Sequence, residues 1–329
     1  MPKVSIVLPN YNYARYLDER IQSLLNQTYS DFELIILDDA STDNSIEVIE
    51  KYTEDPRVKT KFYSENSGLP YKRWNDGADL AQGEYLLIAG ADDSCHPTLL
   101  EKLVEKLDAH ASVGLAFSQS LETDSDGNHI CSLLESTNYL DQERWKTDFV
   151  EEGKKEFQYL LFHNTIPNAS CVLMRRKIFI EARKFDTNLR LAADYLLWIQ
   201  MLIISDIAFV AQPLNYFRKH LQTVTSSTAR NGVRLEEFLQ VKQYLMDYSG
   251  SNFSRQDIEN SCIRVREEWF HLMVNSPRQV GLSRNLRLYK ALSKTDSKIG
   301  ITVLLRGVLR IKNRVSSLFE KQTTPAKFW

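Results

Sequence analysis

The sequence is poor in cysteine and contains no cysteine pair. Its four cysteines are scattered, with no Cys-x-x-Cys motif and no histidine at zinc-finger spacing: Cys95, Cys131, Cys171 and Cys262. Zinc modules need clustered thiolate or imidazole ligands, so this pattern excludes that class of protein. Isolated cysteines are typical of proteins in a reducing compartment, and the cytoplasm is therefore the expected location.

A long apolar run is also missing. A helix that spans a membrane needs roughly 20 consecutive apolar residues, and no stretch of the chain approaches that length. The first apolar run, residues 4–8, ends at Pro9 and is too short for the apolar region of a secretory signal. The sequence thus predicts neither a membrane span nor a secretory signal.

The chain carries little net charge and has no glycine-rich loop near its start. Its formal net charge is -2, which removes the electrostatic case for general nucleic-acid binding. The turn after the first apolar run reads Pro9-Asn10-Tyr11-Asn12, without the glycines that dinucleotide-binding folds place around phosphates. Dinucleotide binding is therefore excluded as well.

Short apolar runs alternate with helical patterns over roughly the first 121 residues. This alternation is typical of βαβ units, in which helices connect parallel strands. The runs that read as buried strands are residues 4–8, 32–37, 85–89, 114–117, 170–174 and 207–210. The pattern predicts an α/β fold with a mostly parallel central sheet flanked by helices.

Two acidic segments follow directly behind two of these runs. Asp38-Asp39-Ala40-Ser41-Thr42-Asp43 comes after the second run, and Ala91-Asp92-Asp93 comes after the third. In an open α/β sheet the ligand crevice lies outside the carboxyl ends of the strands. Either segment alone is equally well a turn or a helix cap. Together they predict a site for a nucleotide and a divalent cation.

These motifs resemble those of the family 2 glycosyltransferases of the GT-A fold. The resemblance covers about the first two thirds of the chain and rests on Val4-Ser5-Ile6-Val7-Leu8-Pro9-Asn10-Tyr11-Asn12, both acidic segments, Gly83-Glu84-Tyr85 and Ala193-Asp194. It implies a GT-A catalytic domain over residues 1–230 and a helical C-terminal region over residues 231–329. It also implies an inverting transfer from a nucleotide-diphospho-sugar of the UDP-sugar type, with Mn²⁺ or Mg²⁺ as cofactor.

The resemblance further implies roles for individual residues. Asp39 is the expected acceptor for the imino hydrogen of uracil, which cytosine lacks, and Tyr11 packs against the base. Asp93 is the expected metal ligand, with Asp92 at the ribose or behind the metal. His220 is expected to reach the metal or the leaving diphosphate, and a structural place is its equal alternative. The other residues expected to bind the nucleotide-sugar are Pro9, Asn12, Asn66, Lys72 and Arg73.

Three positions depart from the family pattern. Gly90 stands where the fuller Asp-x-Asp-Asp form of the metal motif has its leading aspartate, which predicts more coordination by diphosphate oxygens and water. Ala193 stands at a position that is often acidic. One extra residue before Asn75 leaves open whether Lys72 or Arg73 faces the sugar or diphosphate. Surface salt bridges are the alternative for both.

Asp194 is the expected general base. Family members carry an Asp or Glu here, just before a helix, and it removes the proton of the acceptor hydroxyl. A helix N-cap is the alternative role and is compatible with the first. Asp186 is the next candidate for the base. The polar segment at residues 122–152 is expected to cover the crevice and contact the acceptor.

The C-terminal region has helical patterns and no strand candidates. Residues 299–319 have the spacing of a basic amphipathic helix, with Arg306, Arg310, Lys312 and Arg314 beside an apolar stripe. Such a helix can lie in an anionic membrane interface or pack on the protein itself. Many bacterial family members extend lipid-linked saccharides, so the resemblance favours peripheral contact with the inner face of the plasma membrane.

The sequence therefore predicts a transferase that extends a saccharide or lipid-linked saccharide in cell-surface polysaccharide biosynthesis. Two alternatives remain open. The reduced metal motif is compatible with a non-catalytic subunit that binds a nucleotide-sugar. A sugar-1-phosphate nucleotidylyltransferase would share the crevice but needs the glycine-rich loop that this chain lacks.

Overall fold

The computed structural model describes residues 1–220, 231–249, 252–275, 277–296 and 299–304. The strands are β1 (Val4–Asn10), β2 (Phe32–Asp38), β3 (Val58–Phe62), β4 (Tyr85–Ile88), β5 (Ser94–Cys95), β6 (Val113–Thr123), β7 (His129–Ser132), β8 (Phe149–Glu151), β9 (Val172–Arg175) and β10 (Asp206–Arg218). The helices are α1 (Ala14–Leu25), α2 (Ser45–Glu50), α3 (Pro70–Leu80), α4 (Leu99–Ala109), α5 (Phe157–Leu160), α6 (Arg176–Glu181), α7 (Ala193–Ile204), α8 (Val233–Ser249), α9 (Arg255–Asn275), α10 (Pro277–Val280) and α11 (Leu282–Ser293).

The strands form one mixed sheet. Its order is β3-β2-β1-β4-β9-β6-β10-β5, with β7 beside β6 and β8 beside β10. The four strands from β3 to β4 are parallel neighbours, and β10 is parallel to β6. Between these two parts, β9 runs antiparallel to both β4 and β6. The predicted α/β fold is confirmed, and the predicted crevice belongs to the parallel part of the sheet.

Helices on both faces of the sheet explain the apolar strands. Every residue of β2 and of β4 is buried, as is usual where a parallel sheet is covered on both sides. Successive residues point to opposite faces, so Ile6 packs in the layer of α1 and α4, whereas Val7 packs in the layer of α3 and α7. Leu103 of α4 is fully buried, and its truncation to alanine would cost about 2–5 kcal/mol.

Strand β10 is irregular around Pro213. Its parallel pairing with β6 shifts register on both sides of this proline, which has no backbone N–H to give to the ladder. Beyond the irregularity, Asn215 and Tyr216 pair antiparallel with β5. This path brings the last residue of the strand, Arg218, to the loop that follows β4.

The described part of the C-terminal region is helical, as predicted. Helices α8, α9 and α11 share a separate core around Trp269, whose indole N–H donates to Asn285 Oδ1 over 2.8 Å. Helix α8 also contacts α7, because the Phe238 ring meets the Tyr195 ring edge-on with centroids 5.9 Å apart. The helical region is therefore packed against the sheet domain as well as on itself.

Two predictions for this region concern residues that lie wholly or partly outside the described ranges. The predicted domain boundary at residue 230 falls at the end of residues 221–230, which are not described. Of the predicted amphipathic helix at residues 299–319, the structure describes 299–304, which are helical, with Ile301 and Leu304 exposed. None of the helices in the described ranges combines the length and apolarity of a membrane span.

Candidate active site

The carboxyl ends of β1, β2, β3 and β4 lie along one edge of the sheet because these strands are parallel. The loops behind them carry Tyr11, Asp39, Asn66 and Asp92 in turn. The Asp39 backbone N–H donates to the Asn10 carbonyl over 2.9 Å and joins the first two loops. The structure thus gathers the predicted strand-end residues at one crevice, where α/β sheets bind ligands.

Asp38 and Asn12 hold the first two loops together. Asp38 Oδ2 accepts hydrogen bonds from Asn10 Nδ2 at 2.7 Å and from Ser41 Oγ at 2.6 Å. Asn12 Oδ1 accepts from the Thr42 backbone N–H at 2.7 Å. Asn12 has a φ of 60°, in the left-handed region that asparagine tolerates better than most residues. Asn12, predicted to bind the nucleotide-sugar, therefore also fixes the shape of the loop.

Asp39 is paired with Arg73. Arg73 Nε donates to Asp39 Oδ1 at 2.5 Å, and both side chains are more than nine-tenths buried. Ser67 donates to the same carboxylate through its backbone N–H at 3.0 Å and its hydroxyl at 2.6 Å. The Arg73 guanidinium lies over the Tyr63 ring, 3.4 Å from the centroid, and donates to Asp76 at 2.8 Å. The buried charges are therefore paired and hydrogen-bonded, as burial requires.

The other predicted nucleotide-sugar residues differ in their relation to this pair. Lys72 is exposed on α3, about 100° around the helix from Arg73, so Arg73 is the one that reaches Asp39. Asn66 Nδ2 donates to the Asp39 carbonyl at 3.1 Å and supports the loop. Tyr11 is exposed.

Pro9 lies in the last part of β1, which pairs with β2 but no longer with β4. It pairs with Leu37 of β2, but β4 pairs with β1 only as far as Val7. The missing N–H of Pro9 therefore removes no hydrogen bond on the β4 side. The pairing of β4 with β1 therefore ends before Pro9, at the edge of the sheet where the ligand crevice is predicted.

The two aspartates after β4 have different surroundings. Asp93 is 3% exposed and accepts hydrogen bonds from Ser170 Oγ at 2.5 Å and the Arg218 backbone N–H at 3.0 Å. Burial, and next the charge of Asp92, raise the pKa of Asp93. The Asp92 side chain is 20% exposed and lies 3.1 Å from His220 Nε2. The accessible carboxylate of the pair is thus Asp92, with the predicted ligand Asp93 behind it.

Arg218 connects this loop to two other parts of the chain. Its Nε donates to the Asp92 carbonyl at 2.8 Å, and its Nη2 donates to Glu19 of α1 at 2.6 Å. Its Nη1 reaches the Asp124 carbonyl at 3.3 Å, at the turn between β6 and β7. Arg218 is buried, so these contacts fix the loop relative to α1 and to the predicted excursion at residues 122–152.

His220 stands beside the accessible aspartate. Its ring lies against the rings of Tyr13 and Tyr16, with centroids 5.7 and 5.2 Å apart. The two tyrosines belong to the start of α1 and the loop before it, next to the crevice. His220 is far away in sequence, but the structure brings it to the loop after β4 that carries Asp92 and Asp93 (the aspartate loop).

Asp92 and His220 fit a divalent cation. A carboxylate oxygen and an imidazole nitrogen are both donors that Mn²⁺ takes, and their 3.1 Å separation allows one ion to touch both. In the parts of the chain that the structure describes, no three His, Cys, Asp or Glu side chains form a complete metal site. Diphosphate oxygens and water would complete the coordination, in keeping with the glycine at position 90. A Cβ on Gly90 would lie 3.0 Å from Asp93 Oδ2, which leaves little room there for a side chain.

Asp194 lies in the first turn of α7 and is mostly, but not fully, buried. Its Oδ1 accepts from the Tyr195 backbone N–H at 2.7 Å, so it contributes to the start of the helix. Burial raises its pKa from the ordinary 3.8 to about 7, against the opposing effect of the Tyr195 N–H. A carboxylate with this pKa can accept a proton near neutral pH. Asp186, the other candidate, instead accepts from Asn188 within a turn.

Sequence reasoning missed Ser67, Ser170 and the anchoring role of Arg218. Ser67 stands in an Asn-Ser-Gly turn, a local signal that could have placed it at the loop after β3. Ser170 donates to Asp93 and accepts from the Gly90 backbone N–H at 2.9 Å, a contact between residues 80 positions apart. A single serine in an apolar stretch carries no pattern from which such a contact could be predicted.

The fold and its strand-end carboxylates define a glycosyltransferase of the GT-A class. A family model described as Glycosyl transferase family 2 matches residues 5–183, and the chain belongs to that family. The resemblance found in the sequence motifs is confirmed. The family assignment favours the transferase over the nucleotidylyltransferase and the non-catalytic alternative.

Two curated relatives illustrate the similarity in sequence. An uncharacterized glycosyltransferase from Haemophilus influenzae is 29% identical over 224 residues, which cover 67% of this chain and 66% of that protein. Poly(ribitol-phosphate) beta-N-acetylglucosaminyltransferase TarS from Staphylococcus aureus is 33% identical over 114 residues, or 34% of this chain and 20% of TarS. The matched part of the chain therefore spans less than two thirds of the length of either relative.

Two solved structures illustrate the similarity in fold. TarS 1-349 in complex with UDP-GlcNAc superimposes with a TM-score of 0.65 at 20% identity, covering 89% of this chain and 80% of that one. Mannosyltransferase PcManGT from Pyrobaculum calidifontis, in complex with GDP-Man and Mn²⁺, gives 0.55 at 15% identity, covering 94% of this chain and 80% of that one. At these identities the likeness concerns the fold, and it confirms the GT-A class.

Proposed function

We propose that this chain transfers a sugar from a UDP-sugar to a hydroxyl group of a saccharide or lipid-linked saccharide, with inversion and with bound Mn²⁺ or Mg²⁺. The observation that carries the proposal is the different surroundings of three acidic groups. Asp39 pairs with Arg73, Asp92 stands beside His220, and Asp194 opens α7. These three groups suit base recognition, diphosphate binding and proton acceptance, respectively.

Asp39 is the proposed acceptor for the imino hydrogen of uracil. Its Oδ2 accepts from the Ser67 hydroxyl, which also lies 3.1 Å from the Leu69 carbonyl. The hydroxyl can turn to Leu69 and release Oδ2 for the base, at the cost of exchanging one hydrogen bond for another. Arg73 and Ser67 both donate to Asp39, so the carboxylate is already oriented as a hydrogen-bond acceptor. Solved TarS structures contain UDP-GlcNAc and UDP, which supports this class of donor.

The proposed cation site consists of Asp92 and His220, with Asp93 and Arg218 behind them. A divalent cation bound there would stabilise the negative charge that develops on the leaving diphosphate. The contacts of Arg218 with the Asp92 carbonyl and of Asp93 with the Arg218 N–H keep the loop in one conformation. The Mn²⁺ in the PcManGT structure supports this class of cofactor.

Asp194 is the proposed general base. It would take the proton of the acceptor hydroxyl as that oxygen attacks the anomeric carbon and UDP departs from the opposite face. A single displacement of this kind inverts the configuration and needs one base but no covalent intermediate with the protein. The pKa of about 7 favours this role because the carboxylate is both ionised and basic near neutral pH.

The acceptor is proposed to bind beside the excursion at residues 122–152, which is anchored to the aspartate loop through Arg218 and the Asp124 carbonyl.

The name of TarS describes a transferase acting on poly(ribitol-phosphate), and it supports a role in cell-surface polysaccharide biosynthesis. A cytoplasmic location stays a prediction from the scattered cysteines. Peripheral contact with the plasma membrane through residues 299–319 stays a prediction.

The test begins with a panel of UDP-, GDP-, ADP- and CDP-sugars, screened with Mn²⁺ for the donor that most raises the unfolding temperature. That donor is then incubated with candidate saccharide acceptors, and the release of UDP and the anomeric configuration of the product are measured, the latter by NMR. Acceptor-dependent release of UDP with inverted configuration is expected. Retained configuration would contradict the single displacement, and absence of turnover with every donor and acceptor would favour a non-catalytic binding subunit.

A further inference from the structure

The loop that leads into α7 is held by a carboxylate from a distant element. Glu237 of α8 accepts hydrogen bonds from three successive backbone N–H groups: Arg190 at 2.8 Å, Leu191 at 2.8 Å and Ala192 at 3.0 Å. The Glu237 side chain is more than nine-tenths buried. Ala192 occupies the N-cap position of α7 and has no polar side chain with which to satisfy these groups. Glu237 therefore supplies the acceptors that the loop itself lacks.

The same loop is held from its other side by α3. The Tyr71 hydroxyl donates to the Leu191 carbonyl at 2.6 Å, and the buried Tyr71 ring stacks on Phe185 at 5.7 Å. Arg73, two residues further along α3, makes the ion pair with Asp39. The loop before α7 is thus fixed between two helices. One is α3, which carries Arg73 of the proposed uracil site, and the other is α8 of the C-terminal region.

We propose that Glu237 is a positioning residue for the transfer reaction. It fixes the loop from which Asp194 enters α7, two residues after Ala192, and it sets a negative charge near the Asp194 carboxylate. The proposal rests on the proposed role of Asp194 as general base. It makes helix α8 part of the catalytic unit, although the sequence pattern assigns α8 to a separate C-terminal region.

Glu237 acts on Asp194 through charge as well as through the loop. Burial is the main cause of the raised pKa of Asp194, and the charge of Glu237 raises it further. In the described residues, the other titratable group that interacts with Asp194 is Tyr71, whose pKa burial raises well above its ordinary value, so it stays neutral. Loss of the Glu237 charge should therefore lower the pKa of Asp194 and leave more of the base ionised at acidic pH.

The test compares Glu237→Gln and Glu237→Asp with a neighbouring control in the full chain. Glu237→Gln keeps the length of the side chain, removes its charge and turns an amide group toward the loop. We expect kcat to fall by on the order of tenfold to a hundredfold, the scale of a small misplacement of a catalytic group. The KM for the UDP-sugar should stay within about twofold, because Asp39 and Arg73 are untouched. The acidic limb of the kcat–pH profile should move to lower pH.

Glu237→Asp separates position from charge. The shorter side chain keeps the charge but cannot reach all three N–H groups, so kcat should fall while the acidic limb stays near its wild-type pH. Glu236→Gln is the matched control, because Glu236 lies on the same turn of α8 but pairs with Arg284 and Arg287 of α11. It should leave kcat and the pH profile unchanged, whatever it does to the stability of the helical region.

Asp194→Asn, measured in parallel, distinguishes failure of this proposal from failure of the proposed function. If Asp194→Asn retains transfer, the assignment of the base is wrong and the role of Glu237 falls with it. If Asp194→Asn is inactive while both Glu237 variants keep wild-type kcat and pH profile, only the positioning role is overturned. If Glu237→Gln does not fold, Glu237→Asp decides: a lowered kcat with unchanged KM supports the proposal, and wild-type kcat contradicts it.

Discussion

Arg73 Nε lies 2.5 Å from Asp39 Oδ1 at the end of β2, where both side chains are buried. A buried ion pair adds little net stability, but removal of one partner leaves a charge without compensation. Ser67 also donates to Asp39, so the carboxylate is held in a single orientation. The main consequence of the pair is a carboxylate held in a fixed orientation at the place where we propose that the uracil of the donor binds.

Arg73→Ala should therefore affect both folding and binding, whereas Lys72→Ala should affect neither. Loss of Arg73 leaves the Asp39 charge unpaired, and we expect the free energy of unfolding to fall by about 3–5 kcal/mol. Lys72 is exposed on the adjacent position of α3, and its loss should change stability by less than about 0.5 kcal/mol. Denaturant unfolding and calorimetric titration with UDP measure the two effects. Equal UDP affinity in the two variants would contradict the assignment of Arg73 to the nucleotide site.

His220→Gln should weaken the binding of Mn²⁺ that supports turnover. The change removes an imidazole metal ligand beside Asp92 but keeps a side chain of similar length. The concentration of Mn²⁺ for half-maximal turnover should therefore rise by roughly tenfold or more. The matched control is His96→Gln, because the His96 ring bonds to Thr98 Oγ1 at 2.9 Å within its own turn. A Mn²⁺ titration that gives the same midpoint for wild type and His220→Gln would remove His220 from the proposed cation site.

Asp194→Asn should abolish most transfer while leaving donor binding intact. The amide keeps the shape and can still accept from the Tyr195 N–H, but it is not basic, so the rate should fall by on the order of a hundredfold or more. In the wild type, the rate should rise with pH through about 7 as Asp194 ionises. Single-turnover measurements across pH test both statements. Near-normal transfer in this variant would place the base elsewhere.

The same substitution should also change the pH dependence of stability. The pKa of Asp194 is raised on folding from 3.8 to about 7, so the folded state binds the proton more tightly than the unfolded state does. Stability from this group is present at low pH and is lost as pH rises between these values, by at most about 4 kcal/mol. Asp194→Asn removes that loss. Its unfolding temperature should exceed that of wild type at pH 8 but match it near pH 4, and an equal or lower value at pH 8 would contradict the raised pKa.

The parallel half of the fold could be predicted from the sequence because its information is local. The apolar runs at residues 4–8 and 32–37 are buried strands, and the carboxylates directly behind them share one edge since parallel strands end together. That Arg73 rather than Lys72 pairs with Asp39 could not be predicted from the sequence. It depends on the rotation of α3 about its axis, which is set by the packing of Tyr71 and Ala78 in the core.

Long-range contacts account for the features that sequence reasoning missed or left open. The position of β9 between β4 and β6 depends on pairing across about 50 to 90 residues, and no local pattern encodes its antiparallel direction. His220 reaches Asp92 because β10 is irregular at Pro213 and then pairs with β5. Glu237 contacts the loop before α7 from 45 to 47 residues away, and in the sequence it is one of many glutamates in a helical pattern.

The most direct test of the account is a calorimetric titration of UDP, ADP, GDP and CDP into the wild-type chain and Asp39→Ala, with Mn²⁺ present. If Asp39 recognises uracil, UDP binds to wild type more tightly than CDP by roughly tenfold, the value of one hydrogen bond to a charged group. Asp39→Ala should lose this preference while still binding the diphosphate. Equal affinity of the wild type for all four nucleotides would contradict the central claim that this crevice recognises a UDP-sugar through Asp39.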